Sequence, residues 1–183
     1  MIRAIITDFD GTLVDTFEAN LKAYQKAYQS VGLGITAERY HKCFGFRFER
    51  LMTATGIFDE KTANAIREAK KEYYPQFFSS LKPNKALLNL IAGFKALGGK
   101  TAVASTARRE NLMNVINYLD IANHFDLIYA GADVKEGKPS PEIYLKAMQA
   151  LGVTPEETLI FEDSDVGLKA AKASGASIIK VTI

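Results

Sequence analysis

The chain opens with MIRAIITDFDGTLVDT (residues 1–16), in which a short apolar segment is followed at once by two aspartates. The segment IRAII (2–6) has the continuous apolar character of a strand that is buried on both faces of a sheet. Asp8 and Asp10 then stand two residues apart, with Gly11 directly after them. A solvated turn would also use aspartate and glycine. The rest of the chain therefore decides whether these carboxylates only end a strand or carry chemistry.

Four further segments resemble the first one and are separated by helical patterns. They are KTAVAS (100–105), FDLIYAG (125–131), ETLIFED (157–163) and ASIIKV (176–181). The intervening NKALLNLIAGFKALGG (84–99) repeats apolar residues on one helical face and then ends in two glycines. Alternating strands and helices predict an α/β protein with a doubly wound, Rossmann-like parallel sheet, covered by helices on both faces.

One long stretch breaks this alternation. From about Asp15 to about Pro83 the sequence has helical patterns and no strand pattern. About 65 residues is far more than a crossover between two strands needs. We therefore predict a Rossmann-like core of residues 1–15 and 82–183 and a small all-helical cap domain of residues 16–81. The alternative is that these helices pack on the sheet as part of one domain.

Composition restricts the classes of partner. The 183 residues carry a net charge of +2 from 23 basic and 21 acidic side chains, so no nucleic-acid-binding character is expected. No apolar run approaches the roughly 20 residues that a membrane span needs. Cys43 is the only cysteine, which is typical of a reduced, cytoplasmic protein without an internal disulfide. We expect a monomer or a weak homo-oligomer that binds neither nucleic acid nor membrane.

Polar side chains follow several of the predicted strands. In doubly wound sheets, ligands bind beyond the carboxyl ends of the strands. The side chains expected at that edge are, along the chain, Asp8 and Asp10, Ser105 and Thr106, Lys138, and Glu162 and Asp163. Carboxylates suit a hard divalent cation such as Mg²⁺, and hydroxyl and ammonium donors suit phosphate oxygens. This set of side chains therefore indicates a metal-assisted phosphate site.

Four segments in order carry a resemblance to a known family. They are DFDGTLVDT (8–16), AVAST (102–106), GKPSPEIY (137–144) and LIFEDSDVG (159–167). Together they resemble the four motifs of the haloacid dehalogenase-like hydrolase superfamily. The match is similar to the phosphatase and phosphomutase branch, whose helical cap is inserted after the first motif. It extends over nearly the whole predicted core.

The resemblance implies a role for each aspartate of the first motif. Asp8 would be the nucleophile that forms an aspartyl-phosphate. Asp10 would protonate the leaving alcohol and later deprotonate the attacking water. The Asp8 carboxylate and the Asp10 backbone carbonyl would also ligate Mg²⁺. Members that cleave carbon–halogen bonds lack the second aspartate, because halide needs no proton donor, so Asp10 favours phosphoester chemistry.

The resemblance also implies which residues bind the phosphoryl group. Ser105 would hold a phosphoryl oxygen, with Thr106 as the fallback, and Lys138 would neutralise negative charge. On sequence alone, Ser105 or Thr106 could instead cap the helix that follows. Lys138 taken alone would be a surface lysine by default.

The resemblance further implies that the fourth motif completes the metal site. Asp163 would be a direct ligand, and Glu162 a direct or water-mediated one. Some members carry a second acid four residues after the first, but here that position is Gly167. The adjacent pair must therefore suffice.

The predicted cap departs from the sugar-phosphate mutases of this branch. Those proteins usually have a histidine in the first cap helix and an arginine in a Gly-x-Ser-Arg-Glu segment. Asn20 and Phe48 stand at the corresponding places here, which weakens the mutase interpretation. Arg47 or Arg50 either binds an acidic group of the substrate or belongs to a solvated helix face.

These observations predict a Mg²⁺-dependent phosphatase that hydrolyses a small phosphorylated metabolite through an aspartyl-phosphate. One alternative is a sugar-phosphate mutase similar to β-phosphoglucomutase. The other is a catalytically silent module that binds a phosphorylated metabolite, although a binder has no need of an acid at Asp10.

Overall fold

The computed structural model describes residues 1–182, which divide into two compact units. One unit consists of Met1–Asp15 together with the chain from Lys82 onward. The other consists of Thr16–Leu81. A membrane-spanning helix is not found among the described residues.

The helices and strands follow one another in this order. The first half contains β1 (Ala4–Thr7), β2 (Val14–Asp15), α1 (Phe17–Ser30), α2 (Ala37–His41), α3 (Phe48–Ala54), α4 (Glu60–Tyr73) and β3 (Lys82–Pro83). The second half contains α5 (Lys85–Ala96), β4 (Lys100–Ala104), α6 (Arg109–Tyr118), β5 (Leu127–Tyr129), α7 (Glu142–Leu151), β6 (Thr158–Glu162), α8 (Asp165–Ala173) and β7 (Ser177–Lys180). Short 3₁₀ segments occur at Tyr74–Ser80, Ala122–His124, Gly131–Asp133 and Pro155–Glu157.

A parallel sheet forms the centre of the α/β unit. Over the described residues it has five strands in the order β5-β4-β1-β6-β7, and every neighbouring pair is parallel. Ile6 on the central strand lies opposite Ala102 on β4 and Ile160 on β6. The predicted α/β fold with a doubly wound parallel sheet is confirmed. The order places the carboxyl ends of β4, β1 and β6 side by side.

The core of this unit explains why its strands lack an alternating pattern. All four residues of β1 are buried, as expected for a central strand covered on both faces. Helix α7 contributes a buried face to the same core, made of Ile143, Tyr144, Ala147, Met148 and Leu151. Fully burying one large aliphatic side chain contributes roughly 1.5–3 kcal/mol, so this face fixes the helix on the sheet.

A second, small sheet corrects one expectation. The stretch from about Asp15 to about Pro83 was expected to hold no strand, but β2 and β3 pair antiparallel, with Val14 opposite Pro83 and Asp15 opposite Lys82. Two-residue strands are too short to give a hydrophobic period. The pair joins the two chain segments at the point where the chain leaves and re-enters the α/β unit.

Two helices begin later than the sequence indicates. Ser140, followed by Pro141, has the residue type of a helix N-cap, but α7 begins at Glu142 with Pro141 at the cap position. The alternative role of Ser105 or Thr106 as a helix cap is also wrong, because Arg108 occupies the cap position of α6. Both hydroxyl groups of that loop therefore lie outside the helix start.

The unit Thr16–Leu81 is helical and has a core of its own. Helices α1 and α4 pack together, and buried Tyr28 and Ile66 lie in a cluster with Leu51 and Met52. The Tyr28 hydroxyl makes a 2.6 Å hydrogen bond with the Thr55 hydroxyl. A separate core is the property that lets a segment behave as a compact unit.

Candidate active site

Lys138 joins the loop before α7 to the ends of β1 and β6. Its Nζ lies 2.5 Å from Asp8 Oδ1 and 2.7 Å from Glu162 Oε2. The Lys138 side chain is only 2% exposed, and a buried ammonium needs such partners. Burial by itself would lower the pKa of Lys138, but the charges of Asp8 and its other neighbours, together with the hydrogen bond to Asp8, outweigh burial and raise that pKa well above the ordinary value. Lys138 is therefore a fixed positive charge beside the Asp8 carboxylate.

Glu162 is fully buried and accepts hydrogen bonds on both carboxylate oxygens. Oε2 accepts from Lys138 and, at 2.5 Å, from the Tyr144 hydroxyl. Oε1 accepts from the Asp163 and Ser164 backbone N–H groups and from the Ser164 hydroxyl at 2.9 Å. Despite burial, the charge and hydrogen bond of Lys138 lower the pKa of Glu162. Glu162 is thus an ionised carboxylate held by five donors.

Asp163 lies against the turn that follows β1. Its Oδ1 accepts a 2.6 Å hydrogen bond from the Thr12 hydroxyl. A Cβ on Gly11 would lie 2.5 Å from Asp163 Oδ2, and Gly11 has a φ of +91°. Glycine is needed here both for the left-handed backbone and for the close approach of the carboxylate. The first and fourth motifs are therefore packed against each other.

Three carboxylates of the site can share a cation. Asp8, Glu162 and Asp163 each offer an oxygen, and these oxygens all lie within 4.8 Å of one another. Burial, together with the charge of Glu162, raises the pKa values of Asp8 and Asp163. One lysine balances only part of this negative charge, so the donor set fits a divalent metal ion with oxygen ligands.

The second carboxylate of the first motif turns toward β4. Asp10 Oδ2 lies 3.5 Å from the hydroxyl of Ser105, which is 1% exposed. The Gly11 N–H donates to the Val14 carbonyl at 2.9 Å, which closes the turn after Asp10. Strand β1 ends at Thr7, so Asp8 and Asp10 both lie in the segment that follows its carboxyl end.

The loop after β4 is held from two sides. Ser105 Oγ accepts a hydrogen bond from the Ala107 N–H at 3.0 Å. Gly131 donates its N–H to the Ala107 carbonyl, and a Cβ on Gly131 would lie 2.5 Å from the Thr106 carbonyl oxygen. The close packing of these loops fixes the position of Ser105 and Thr106 at the strand end.

Arg109, at the start of α6, and Arg50, in the helical unit, each have partners within their own unit. Arg109 forms an ion pair with Asp133 and donates to the Ile128 carbonyl, so it ties α6 to the loop after β5. In the helical unit, the Arg50 guanidinium lies over the Phe46 ring, with its central carbon 3.9 Å from the ring centroid.

Sequence reasoning did not single out Tyr144, Ser164 or Thr12. Each donates a hydrogen bond to a carboxylate of the site. Tyr144 lies on the apolar face of α7, where an aromatic residue looks like any other core residue. Ser164 and Thr12 stand close to the motif acids in the sequence, and this position could have indicated their role.

Comparison with known proteins decides the family. The profile of the haloacid dehalogenase-like hydrolases matches residues 5–181. The chain belongs to this family. The resemblance carried by the four sequence motifs is therefore confirmed.

Three relatives indicate to which branch of the family the chain is similar. The phosphorylated carbohydrates phosphatase of Thermotoga maritima is 32% identical over 95% of this chain and 82% of its own length. The crystal structure of CbbY from Rhodobacter sphaeroides in complex with phosphate has a TM-score of 0.88 and 30% identity, covering 100% of this chain and 87% of the other. β-Phosphoglucomutase from Clostridium difficile has a TM-score of 0.83 and 27% identity, covering 100% and 86%. The predicted enzyme class, a hydrolase of the phosphatase and phosphomutase branch, is confirmed.

Proposed function

We propose that this protein is a Mg²⁺-dependent phosphatase that hydrolyses a small phosphorylated metabolite through an aspartyl-phosphate on Asp8. The observation that carries the proposal is the buried contact between Asp8 and Lys138, next to two further carboxylates. A carboxylate that attacks a phosphate dianion needs positive charge nearby. Lys138 supplies part of that charge, and the acidic cluster would hold a metal ion that supplies the rest.

Asp8 is the proposed nucleophile. One of its carboxylate oxygens attacks phosphorus, the new bond being between that oxygen and phosphorus, while the bond from phosphorus to the leaving oxygen breaks. Lys138 holds Asp8 Oδ1 at 2.5 Å and so fixes the direction of the carboxylate. A water molecule then attacks the same phosphorus, which releases inorganic phosphate and restores Asp8.

Asp10 is the proposed general acid and base. It gives its proton to the oxygen of the leaving alcohol and then takes a proton from the attacking water. Its position beside Ser105, at 3.5 Å, supports a role at the phosphoryl group, because Ser105 is the proposed ligand of a phosphoryl oxygen. Thr106, in the same packed loop, remains the fallback ligand.

The metal would be held by Asp8, Asp163 and the backbone carbonyl of Asp10, with Glu162 acting through water. The five hydrogen bonds on Glu162 support this last point, since its oxygens are already occupied by donors. Bound Mg²⁺ would polarise the phosphoryl oxygens and stabilise the charge that develops on them.

The helical unit Thr16–Leu81 is the proposed cap, which would exclude bulk water and select the substrate. A phosphomutase is the second candidate, because β-phosphoglucomutase is among the similar structures. Asn20 and Phe48 at the places of the mutase histidine and arginine favour the phosphatase. A silent binding module is the third, and the retained Asp10 argues against it.

The test is phosphate release from a panel of phosphorylated metabolites, with Mg²⁺ and with a chelator. The panel contains phosphoglycolate, sugar phosphates, nucleoside monophosphates and pyrophosphate, and Asp8→Asn is the control. Metal-dependent release from one or a few compounds, lost in the control, is the expected result. If folded, metal-loaded protein released phosphate from none of the compounds, the proposal would be contradicted and the mutase or the binding module would be favoured.

A further inference from the structure

We propose that Tyr144 is a positioning residue for Lys138 and acts through the carboxylate of Glu162. The inference rests on the proposed function for its kinetic consequence only. The Tyr144 hydroxyl donates to Glu162 Oε2 at 2.5 Å, and the same oxygen accepts from Lys138 at 2.7 Å. Tyr144 itself touches no reacting atom in this scheme.

The burial of these groups explains why one hydroxyl matters. Tyr144 and Glu162 are both fully buried, and Lys138 is nearly so. Water therefore cannot replace a missing donor at Glu162 Oε2, and the loss of a hydrogen bond to a buried carboxylate is costly. Without the hydroxyl, only Lys138 would hold this oxygen. The Glu162 carboxylate would then become more mobile, and so would the Lys138 ammonium that it anchors.

The Tyr144 ring contributes a second contact. Its centroid lies 4.9 Å from Lys138 Nζ, within the distance at which an ammonium is attracted to an aromatic face. Tyr144→Phe keeps this ring and the packing of α7 and removes only the hydroxyl. The substitution therefore separates positioning from core packing.

A matched control exists in the helical unit. Tyr28 is also buried, and its hydroxyl also makes a short hydrogen bond, to Thr55 at 2.6 Å. Tyr28→Phe therefore removes the same group from an equally buried place. A general effect of losing a buried tyrosine hydroxyl would show in both variants.

The first readout is the ¹⁵N NMR signal of the Lys138 ammonium, assigned by its loss in Lys138→Arg. It is recorded on metal-free protein without substrate, where the exchange rate of the ammonium hydrogens reports how firmly they are held. We expect exchange about tenfold faster or more in Tyr144→Phe and unchanged exchange in Tyr28→Phe. In the Glu162→Gln background, adding Tyr144→Phe should change nothing further, because the two residues act in series.

The second readout is the kinetics of a p-nitrophenyl phosphate assay with Mg²⁺. Tyr144→Phe should lower kcat about tenfold and change KM little, because Lys138 contacts the attacking carboxylate. The inference is overturned if ammonium exchange and kcat stay at the wild-type values, if Tyr28→Phe gives the same changes, or if the Glu162→Gln and Tyr144→Phe effects add. If wild-type protein shows no phosphatase activity, the proposed function fails, and the ammonium signal still decides the role of Tyr144.

Discussion

Gly167, in the first turn of α8, lies so close to Glu162 that a Cβ at this position would come within 2.0 Å of the carboxyl carbon. The space in which some family members carry another acid is thus filled here by the carboxylate of Glu162. The absence of a side chain at Gly167 lets Glu162 reach Lys138, which it contacts at 2.7 Å.

Replacing Gly167 with alanine should therefore damage both stability and activity. The new methyl group must displace the buried Glu162 carboxylate, and overpacking of this kind costs about 1–3 kcal/mol of the free energy of unfolding. Phosphatase kcat should fall by about tenfold or more, because Lys138 loses an anchor. Urea unfolding and phosphate release are the two measurements.

The control for this variant is Gly93→Ala. Gly93 is also helical, in α5, but a Cβ there would meet nothing within 4 Å. Alanine should raise the free energy of unfolding by about 0.5–1 kcal/mol and leave kcat unchanged. Equal losses in both variants would show that the space beside Glu162 has no special role.

Thr12→Val should weaken metal binding more than it weakens the fold. The Thr12 hydroxyl donates to Asp163 Oδ1 at 2.6 Å, and loss of such a supporting hydrogen bond typically costs about 10- to 100-fold in metal affinity. The measurement is the Mg²⁺ concentration that gives half-maximal activity, checked by calorimetric titration of the metal alone.

Thr158→Val is the matched control for Thr12. Thr158 is also fully buried, and its hydroxyl donates to the Thr154 carbonyl at the opposite end of β6. The Thr158→Val variant should lose stability, but the Mg²⁺ dependence of its activity should not change. An unchanged Mg²⁺ dependence in Thr12→Val would mean that Asp163 does not ligate the metal.

Asp10→Asn should slow the hydrolysis of esters with poor leaving groups more than the hydrolysis of esters with good ones. An alkoxide needs a proton as it departs, whereas an activated aryl oxide needs little help. The ratio of kcat/KM for a sugar phosphate to that for p-nitrophenyl phosphate should therefore fall in the variant. Equal losses on both esters would remove the general-acid role of Asp10.

The sequence predicted those parts of the fold and site that depend on local patterns. Buried strands appear as apolar runs, and the motif residues stand next to them, so Asp8, Lys138 and Asp163 could be placed at one sheet edge in advance. The contact between Tyr144 and Glu162 could not, because it joins residues 18 positions apart through the packing of α7 on the sheet. The β2–β3 pair was missed because two residues carry no period.

The most direct test of the proposed mechanism is acid-quench mass spectrometry of the peptide that contains Asp8, taken during turnover of p-nitrophenyl phosphate with Mg²⁺. The Asp10→Asn variant is used beside the wild type, because the loss of the base should slow hydrolysis of the intermediate. An adduct of one phosphoryl group on Asp8, more abundant in Asp10→Asn and absent in Asp8→Asn, is the predicted result. The mechanism would be contradicted if Asp8→Asn continued to release phosphate. It would also be contradicted if the wild type and Asp10→Asn turned over substrate while Asp8 stayed unmodified.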